Sequence, residues 1–174
     1  DPASVLDDLA KRKGLGLLAF PAQSNFSGVR HALELVGEAK RRGFDVLLDA
    51  AAFAPSHPLN LRAVSPDFVA LSFYKLFGTP TGLGALVARH DALAKLQRPW
   101  FAGGTVTYAS VAAYRHHLRP GHEGFEDGTP NFLGAAALDA GFDLLDEVGM
   151  AELERRVESL AARLRGGLER LTLT

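Results

Sequence analysis

The chain has 174 residues, a formal net charge of -1, and 47% hydrophobic against 22% charged residues, the balance of a globular domain with a real core. Near-neutral charge gives no electrostatic case for nucleic acid or an acidic membrane surface, and no apolar run approaches the roughly 20 residues that span a bilayer. With no cysteine present, disulfides, thiolate metal sites and a cysteine nucleophile are excluded within the chain.

The chain opens Asp1-Pro2 and its only methionine is Met150. A piece of a longer protein is therefore expected, with residues 1–174 forming part of one domain. No signal peptide is visible, so a cytoplasmic location is expected. Residues 4–13 predict the end of a helix stopped at Gly14. Residues 15–20 predict a buried strand, running into the polar loop Pro21-Ala22-Gln23-Ser24-Asn25-Phe26-Ser27-Gly28. From Val29 to Arg42 the apolar residues Val29, Ala32, Leu33, Leu35, Val36 and Ala39 recur with the period of an amphipathic helix. Gly43 suits its C-cap. Phe44 to Leu48 predicts the next strand, ending in Asp49.

Strand, loop, helix, strand is a βαβ crossover, which predicts a parallel pair. Residues 53–66 predict a loop, with prolines at 55, 58 and 66. Phe68 to Phe73 predicts another buried strand, followed by Lys75, a glycine-rich loop and a strand over residues 85–88. In parallel sheets ligands sit beyond the carboxyl ends of the strands. Asn25, Asp49 and Lys75 each follow an apolar strand, so they should converge on one edge of the sheet. Lys75 is open to two readings from its own stretch. Held in an apolar site that keeps its amine neutral, it would be a Schiff-base lysine. Otherwise it is a strand-end lysine reaching to water.

Asp91 suits the cap of a short helix reaching Leu96. Residues 101–107 and 125–131 predict polar, glycine-containing loops. Phe132 to Val148 predicts one amphipathic helix, and Met150 to Leu171 a last one, acidic early and arginine-rich late. The terminal Leu171-Thr172-Leu173-Thr174 suggests the start of a strand. His116, His117 and His122 fall in a predicted loop with no carboxylate at a recognisable spacing, so no metal is expected. Arg41-Arg42 and Arg155-Arg156 read as helix-surface charges. No G-x-G-x-x-G follows the first strand, which discounts a nucleotide-binding Rossmann domain.

An acidic residue ending one strand and a lysine ending the next suit pyridoxal phosphate. The lysine holds the aldehyde as an imine, and the aspartate pairs with the pyridine nitrogen so that the ring can accept electrons from the substrate's Cα. The phosphate needs hydroxyls, backbone N–H groups or a helix N-terminus; Ser72, Thr105 and Thr129 are candidates.

Five stretches, in family order, resemble the fold-type I pyridoxal-phosphate enzymes of the class V aminotransferase group. They are Pro21 to Gly28; Val46 to Ala51; Ser72-Phe73-Tyr74-Lys75-Leu76-Phe77-Gly78 with Pro80-Thr81-Gly82-Leu83-Gly84; Gly103-Gly104-Thr105; and Phe125-Glu126-Asp127-Gly128-Thr129. Within the group the chain is similar to the molybdenum cofactor sulfurase branch, close to cysteine desulfurases. The resemblance implies an α/β fold, a three-layer α/β/α fragment of the large domain with a mostly parallel sheet. It implies Lys75 as the lysine that carries the cofactor and moves the Cα proton of an amino acid held as external aldimine. Asp49 would partner the pyridinium nitrogen, Asn25 would lie near the ring oxygen, and Ser72 would bind phosphate of the same subunit. Gly103, Gly104 and Thr129 fall in loops that in relatives reach the phosphate of the neighbouring subunit. A homodimer with its sites at the interface follows, with cysteine as substrate and sulfur passing to an enzyme cysteine outside this chain.

Two positions depart from cysteine desulfurases, which usually carry histidine before the lysine and glutamine three residues after the aspartate. Tyr74 and Ala52 stand there, and both suit the molybdenum-cofactor branch. The ring-stacking aromatic and first phosphate loop lie upstream in the family. The substrate-carboxylate arginine and any persulfide cysteine lie downstream. Transamination or epimerisation of another amino acid remains an alternative outcome, as does an isolated domain core without catalysis.

Overall fold

Strand β1 (Gly16–Pro21) pairs in parallel with β2 (Phe44–Asp49), β2 pairs in parallel with β3 (Phe68–Ser72), and β4 (Gly84–Ala88) closes the row antiparallel to β3. The computed structural model describes residues 2–11 and 16–171. The expected helix stop at Gly14, the strand start at Leu15 and the last residues Thr172 to Thr174 lie outside the described residues. The fold is α/β with a mostly parallel sheet, and the crossover between β1 and β2 is the helix α2 (Glu34–Arg41).

The two faces of the sheet differ. Val46 and Leu48 alternate with Asp45, Leu47 and Asp49, as a strand requires. Both are fully buried, with Leu6 of α1 (Pro2–Ala10), Val36 and Ala39 of α2, Ala22 and Phe53 around them. Burying each large side chain in this core contributes about 1.5–3 kcal/mol. Farther along the sheet the same face carries Val69 and Leu71. There a cavity of about 230 Å³ lies between them, Phe73, Leu76, Phe142 and Met150. Phe142 belongs to α7 (Leu138–Val148) and Met150 begins α8 (Met150–Leu168). Helices therefore pack on this one face. The register places Leu17, Asp45, Asp49, Ala70 and Leu86 on the opposite face. Leu17 and Leu86 are each 57% exposed there.

Several expected elements change on folding. The helix predicted from Val29 begins only at Glu34, because residues 22–31 close a turn first: Ser24 N donates to Val29 O (2.9 Å) and His31 N to Ala22 O (2.9 Å). Gly43 follows the C-cap in a left-handed conformation (φ +85°) that suits glycine. Within the predicted loop 53–66, Asn60 caps a helical turn α3 (Leu61–Val64) by accepting from Arg62 N and Ala63 N. Arg89, not Asp91, is the N-cap of α5 (His90–Leu93), and Asp91 sits in its first turn paired with Arg89. Residues 106 and 107 and the pair His116-His117, all expected in loops, instead lie on a hairpin of β5 (Val106–Ser110) and β6 (Arg115–Leu118). The helix expected over 132–148 divides at Ala137 into α6 (Phe132–Ala136) and α7, and α8 ends at Leu168 rather than Leu171.

One carboxylate ties the far end of the sheet together. Asp67, 5% exposed, precedes β3. Its Oδ2 accepts from Val46 N (2.9 Å) and its Oδ1 from Lys40 Nζ (2.8 Å), while its backbone O accepts from Arg89 N (3.0 Å). Elements α2, β2, β3 and β4 thus meet at one residue. Asp67→Ala leaves the Val46 amide and the Lys40 ammonium without their acceptor and is expected to cost about 2–3 kcal/mol. Asp67→Asn, which keeps one acceptor for Val46, should cost less. Urea unfolding midpoints check this, and an unchanged midpoint for Asp67→Ala would contradict it.

Candidate active site

Three strand ends meet because the parallel register aligns them: Pro21 stands beside Asp49, and Asp49 beside Ala70. The chain leaves β1 through Ala22, whose N–H donates to Asp49 O (2.8 Å). It then enters a turn built on Ser24. The Ser24 hydroxyl accepts from Phe26 N and Ser27 N (3.3 and 3.1 Å), and Gly28 N reaches Ser24 O (2.9 Å). That turn presents Asn25 to solvent at the sheet edge.

Asp49 ends β2 on the open face, where its Oδ1 accepts from Ala51 N (2.9 Å). Ser72 ends β3 on that same face, two residues beyond Ala70, and pairs with Gly84 of β4. Beyond it the chain does not enter a loop. It forms one helical turn, α4 (Phe73–Phe77), with Ser72 at its N-cap and Gly78 left-handed (φ +69°) at its C-cap. Lys75 sits in the middle of this turn.

Lys75 Nζ donates to Asn25 Oδ1 at 2.9 Å, a contact between residues 50 apart in sequence. The amine also stands 5.9 Å from the centre of the Tyr74 ring. The apolar enclosure expected around a Schiff-base lysine is absent among the described residues: Lys75 is half-buried, and its partner Asn25 is exposed. The donor set nevertheless fits pyridoxal phosphate. One edge offers an amine for an aldehyde, a carboxylate for a ring N–H, an amide, and a Ser72 hydroxyl that caps nothing in its own helix. Two buried polar atoms without a partner, Gln23 Oε1 and Thr79 Oγ1, belong to the loops that carry Asn25 and follow Lys75. Orphaned buried polar atoms call for a polar partner.

The remaining predicted residues form a second group. Gly128 N donates to Gly103 O (2.9 Å), which joins the two glycine-containing loops, and Gly104 is left-handed (φ +85°) facing Gly128 O. Thr105 is fully buried; its hydroxyl donates to Ala102 O (2.8 Å). Thr129 is exposed and does not cap the following helix; Asn131 does, accepting from Gly134 N (2.9 Å). A cavity of about 870 Å³ separates these loops from β4, lined by Leu86, Ala88, Gly104, His122, Asp127 and Gly128 among others. No hydrogen bond joins this group to Asn25, Asp49 or Lys75 among the described residues.

His116 and His117 lie on β6, and His122 in a 3-10 turn (Gly121–Phe125) 4.0 Å from a Glu126 carboxylate. No cluster of metal-ligating side chains forms among the described residues. No helix among them is long and apolar enough to cross a membrane. On the open face, Lys95 Nζ donates to Asp45 (2.6 Å), and that hydrogen bond holds the Lys95 ammonium above the ordinary lysine range.

Sequence reasoning missed Arg98. Its side chain is only 6% exposed, donates to Gly124 O (3.0 Å), pairs with Asp127, and lies 5.3 Å from the Trp100 ring centre. The run Arg98-Pro99-Trp100 gives no sign that its cation is buried, because both carbonyl and carboxylate partners come from 26 and 29 residues away.

The family model for aminotransferase class-V matches residues 4–174. The chain is 44% identical over 153 residues to molybdenum cofactor sulfurase 3 of Aedes aegypti, covering 80% of this chain and 20% of that protein. With human molybdenum cofactor sulfurase it shares 41% over 157 residues, covering 83% of this chain and 18% of that protein. It thus spans about a fifth of the length of these relatives. Among solved structures, a cysteine desulfurase from Thermococcus onnurineus superposes with a TM-score of 0.79 at 36% identity. That match covers 94% of this chain and 41% of the other. A cysteine desulfurase from Escherichia coli has the same fold, with a TM-score of 0.84 at 24% identity, covering 97% and 42%.

Removing the Arg98 guanidinium should release the loop over residues 121–128. Arg98→Ala is expected to lower stability by about 1–3 kcal/mol, since it removes the buried guanidinium that donates to Gly124 O and pairs with Asp127. Limited proteolysis followed by mass mapping checks it: cleavage should appear first between residues 121 and 128. An unaltered cleavage pattern would contradict the role.

Proposed function

The chain belongs to the aminotransferase class-V family, and from that premise we propose that it is part of the cofactor-binding large domain of a pyridoxal-phosphate enzyme that removes sulfur from cysteine. The observation that carries the reading is the hydrogen bond from Lys75 Nζ to Asn25 Oδ1 at 2.9 Å. It brings two residues from separate strand ends to one point, with Asp49 at the strand end between them. Similarity to the molybdenum cofactor sulfurases and to the Thermococcus onnurineus cysteine desulfurase supports the choice of substrate.

Pyridoxal phosphate, when bound, supplies an acceptor for the electron pair left at the amino acid's Cα. Lys75 would hold the cofactor through its aldehyde and, with substrate bound, would take the proton from the substrate Cα. A single amine suits both tasks because it sits on a short turn at the edge and is not sealed in the core. Asp49 would accept from the ring N–H and keep that nitrogen protonated; the Ala51 amide on its Oδ1 fixes the carboxylate's direction. Asn25 orients Lys75 and donates from its amide nitrogen toward the ring oxygen. Ser72 donates its hydroxyl to phosphate. Gly103, Gly104 and Thr129 stand apart from this edge, which supports a homodimer in which they serve the phosphate of the neighbouring subunit.

The test uses the full-length protein with pyridoxal phosphate, cysteine and a thiol reductant, which frees as sulfide the sulfur handed to an enzyme cysteine, and follows sulfide release. Lys75→Ala should lower turnover about 10²–10⁴-fold, the range of a lost acid–base residue. Asp49→Ala should lower it while leaving the protein folded. Full activity of Lys75→Ala would overturn the assignment. Turnover of another amino acid without sulfide release would replace desulfuration by transamination or epimerisation.

A further inference from the structure

The turn that carries Lys75 has only five residues, too few to hold its shape by backbone hydrogen bonds alone. Its N-cap Ser72 makes no side-chain capping bond. Packing on α7 is what fixes it. Phe73 and Phe77, four apart, project to one side of the turn, and their rings stack with centroids 6.1 Å apart. Phe142 of α7 meets both edge-on, at 6.1 and 4.9 Å.

Beside Phe142, Gly141 is buried and leaves a notch. A Cβ built on it would lie 2.5 Å from Phe77 Cγ and 2.7 and 2.8 Å from its two Cδ atoms. Turning the ring about χ2 cannot relieve a clash with Cγ, which is bonded to Phe77's own Cβ. Either χ1 changes or α4 moves. Seven residues earlier, Gly134 of α6 lies against Leu83: a Cβ there would lie 2.6 Å from Asn131 Nδ2 and 2.7 Å from Leu83 Cδ1, the movable end of its side chain. Phe77 and Leu83 bracket the loop that follows Lys75, so both ends of that loop rest on glycines of the consecutive helices α6 and α7. Lys75 stands two residues from Phe73 and two from Phe77. It is therefore turned away from α7, toward Asn25.

We propose that Gly141 is a positioning residue for Lys75: the notch seats Phe77, and the seat sets where the Lys75 amine stands at the sheet edge. The proposal rests on the reading of Lys75 as the lysine that carries the cofactor. An ordinary helix glycine would behave in the opposite way. Gly141 is not left-handed, and replacing such a glycine with alanine stabilises a helix.

The experiment compares full-length wild type, Gly141→Ala, Phe77→Ala and the double variant. Thermal unfolding is read without cofactor; affinity for pyridoxal phosphate, visible circular dichroism and borohydride fixation onto Lys75 are read with it. Gly141→Ala should fold cooperatively, without the gain in unfolding temperature that a free helix position gives. It should bind the cofactor about 10–100-fold more weakly, the scale of an ångström-level misplacement, with an altered dichroic band. In the Phe77→Ala background the same change should have no further effect on cofactor affinity or dichroism, because Cγ is gone. Gly141→Ala with raised stability and wild-type affinity would overturn the proposal, as would an undiminished effect in the Phe77→Ala background. Should Gly141→Ala fail to fold, Phe77→Ala carries the test alone: wild-type affinity and dichroism there would overturn it. A wild type that fixes no cofactor on Lys75 would overturn the cofactor reading itself. Normal fixation with an unaffected Gly141→Ala would remove only the role of Gly141.

Discussion

Parallel pairing of β1, β2 and β3 in one register is the constraint on which the rest of this structure depends. Parallel strands end on the same side, so a register that sets Pro21 beside Asp49 and Asp49 beside Ala70 brings three loops to one edge. A slip of one residue in β2 would exchange Val46 and Leu48 for Leu47 and Asp49 on the packed face, burying a carboxylate. The hydrophobic core thus fixes the site as well as the fold. At the opposite end of the strands, Asp67 guards the same register. It holds the Val46 amide with its carboxylate and the Arg89 amide with its carbonyl.

The division between a packed and an open face organises the chemistry. Helices α1, α2, α7 and α8 cover the face of Val46, Leu48, Val69 and Leu71. Asp49 and Ser72 point to the other face, at the end where ligands of such sheets bind. Lys75 reaches that edge from a turn whose aromatic side is anchored in the packed layer. The reactive group is therefore held from behind by apolar packing and left free in front. Gly103, Gly104, Gly128 and Thr129 form a separate platform braced by the buried Arg98 guanidinium.

Much of this was legible in the sequence, for identifiable reasons. Apolar runs of strand length separated by a 3.6-period segment announced the βαβ unit, and strand-end positions announced that Asn25, Asp49 and Lys75 would converge. Local signals failed where distant contacts decide. Val29 and Ala32 fit a helical period, yet the Ser24 turn claims them first. Lys75 lies in a helix because Phe73 and Phe77 pack on Phe142, a partner more than 60 residues downstream. The 106–118 hairpin escaped notice because its strands carry mixed polar residues and are largely exposed. Nothing in the sequence around Arg98 or Asp67 marks them as buried, since their partners come from other elements. The expected apolar pocket around Lys75 was a property of the chemistry and not of these residues, and the described chain leaves the amine half-buried beside Asn25.

The most direct measurement is borohydride reduction of the full-length protein with pyridoxal phosphate, followed by peptide mass mapping. The cofactor's mass should appear on the peptide containing Lys75 and on no other lysine, and the visible absorbance should shift as it is fixed. Fixation scattered over surface lysines such as Lys11 and Lys95, or none at all, would mean that the strand ends converge without forming a cofactor site.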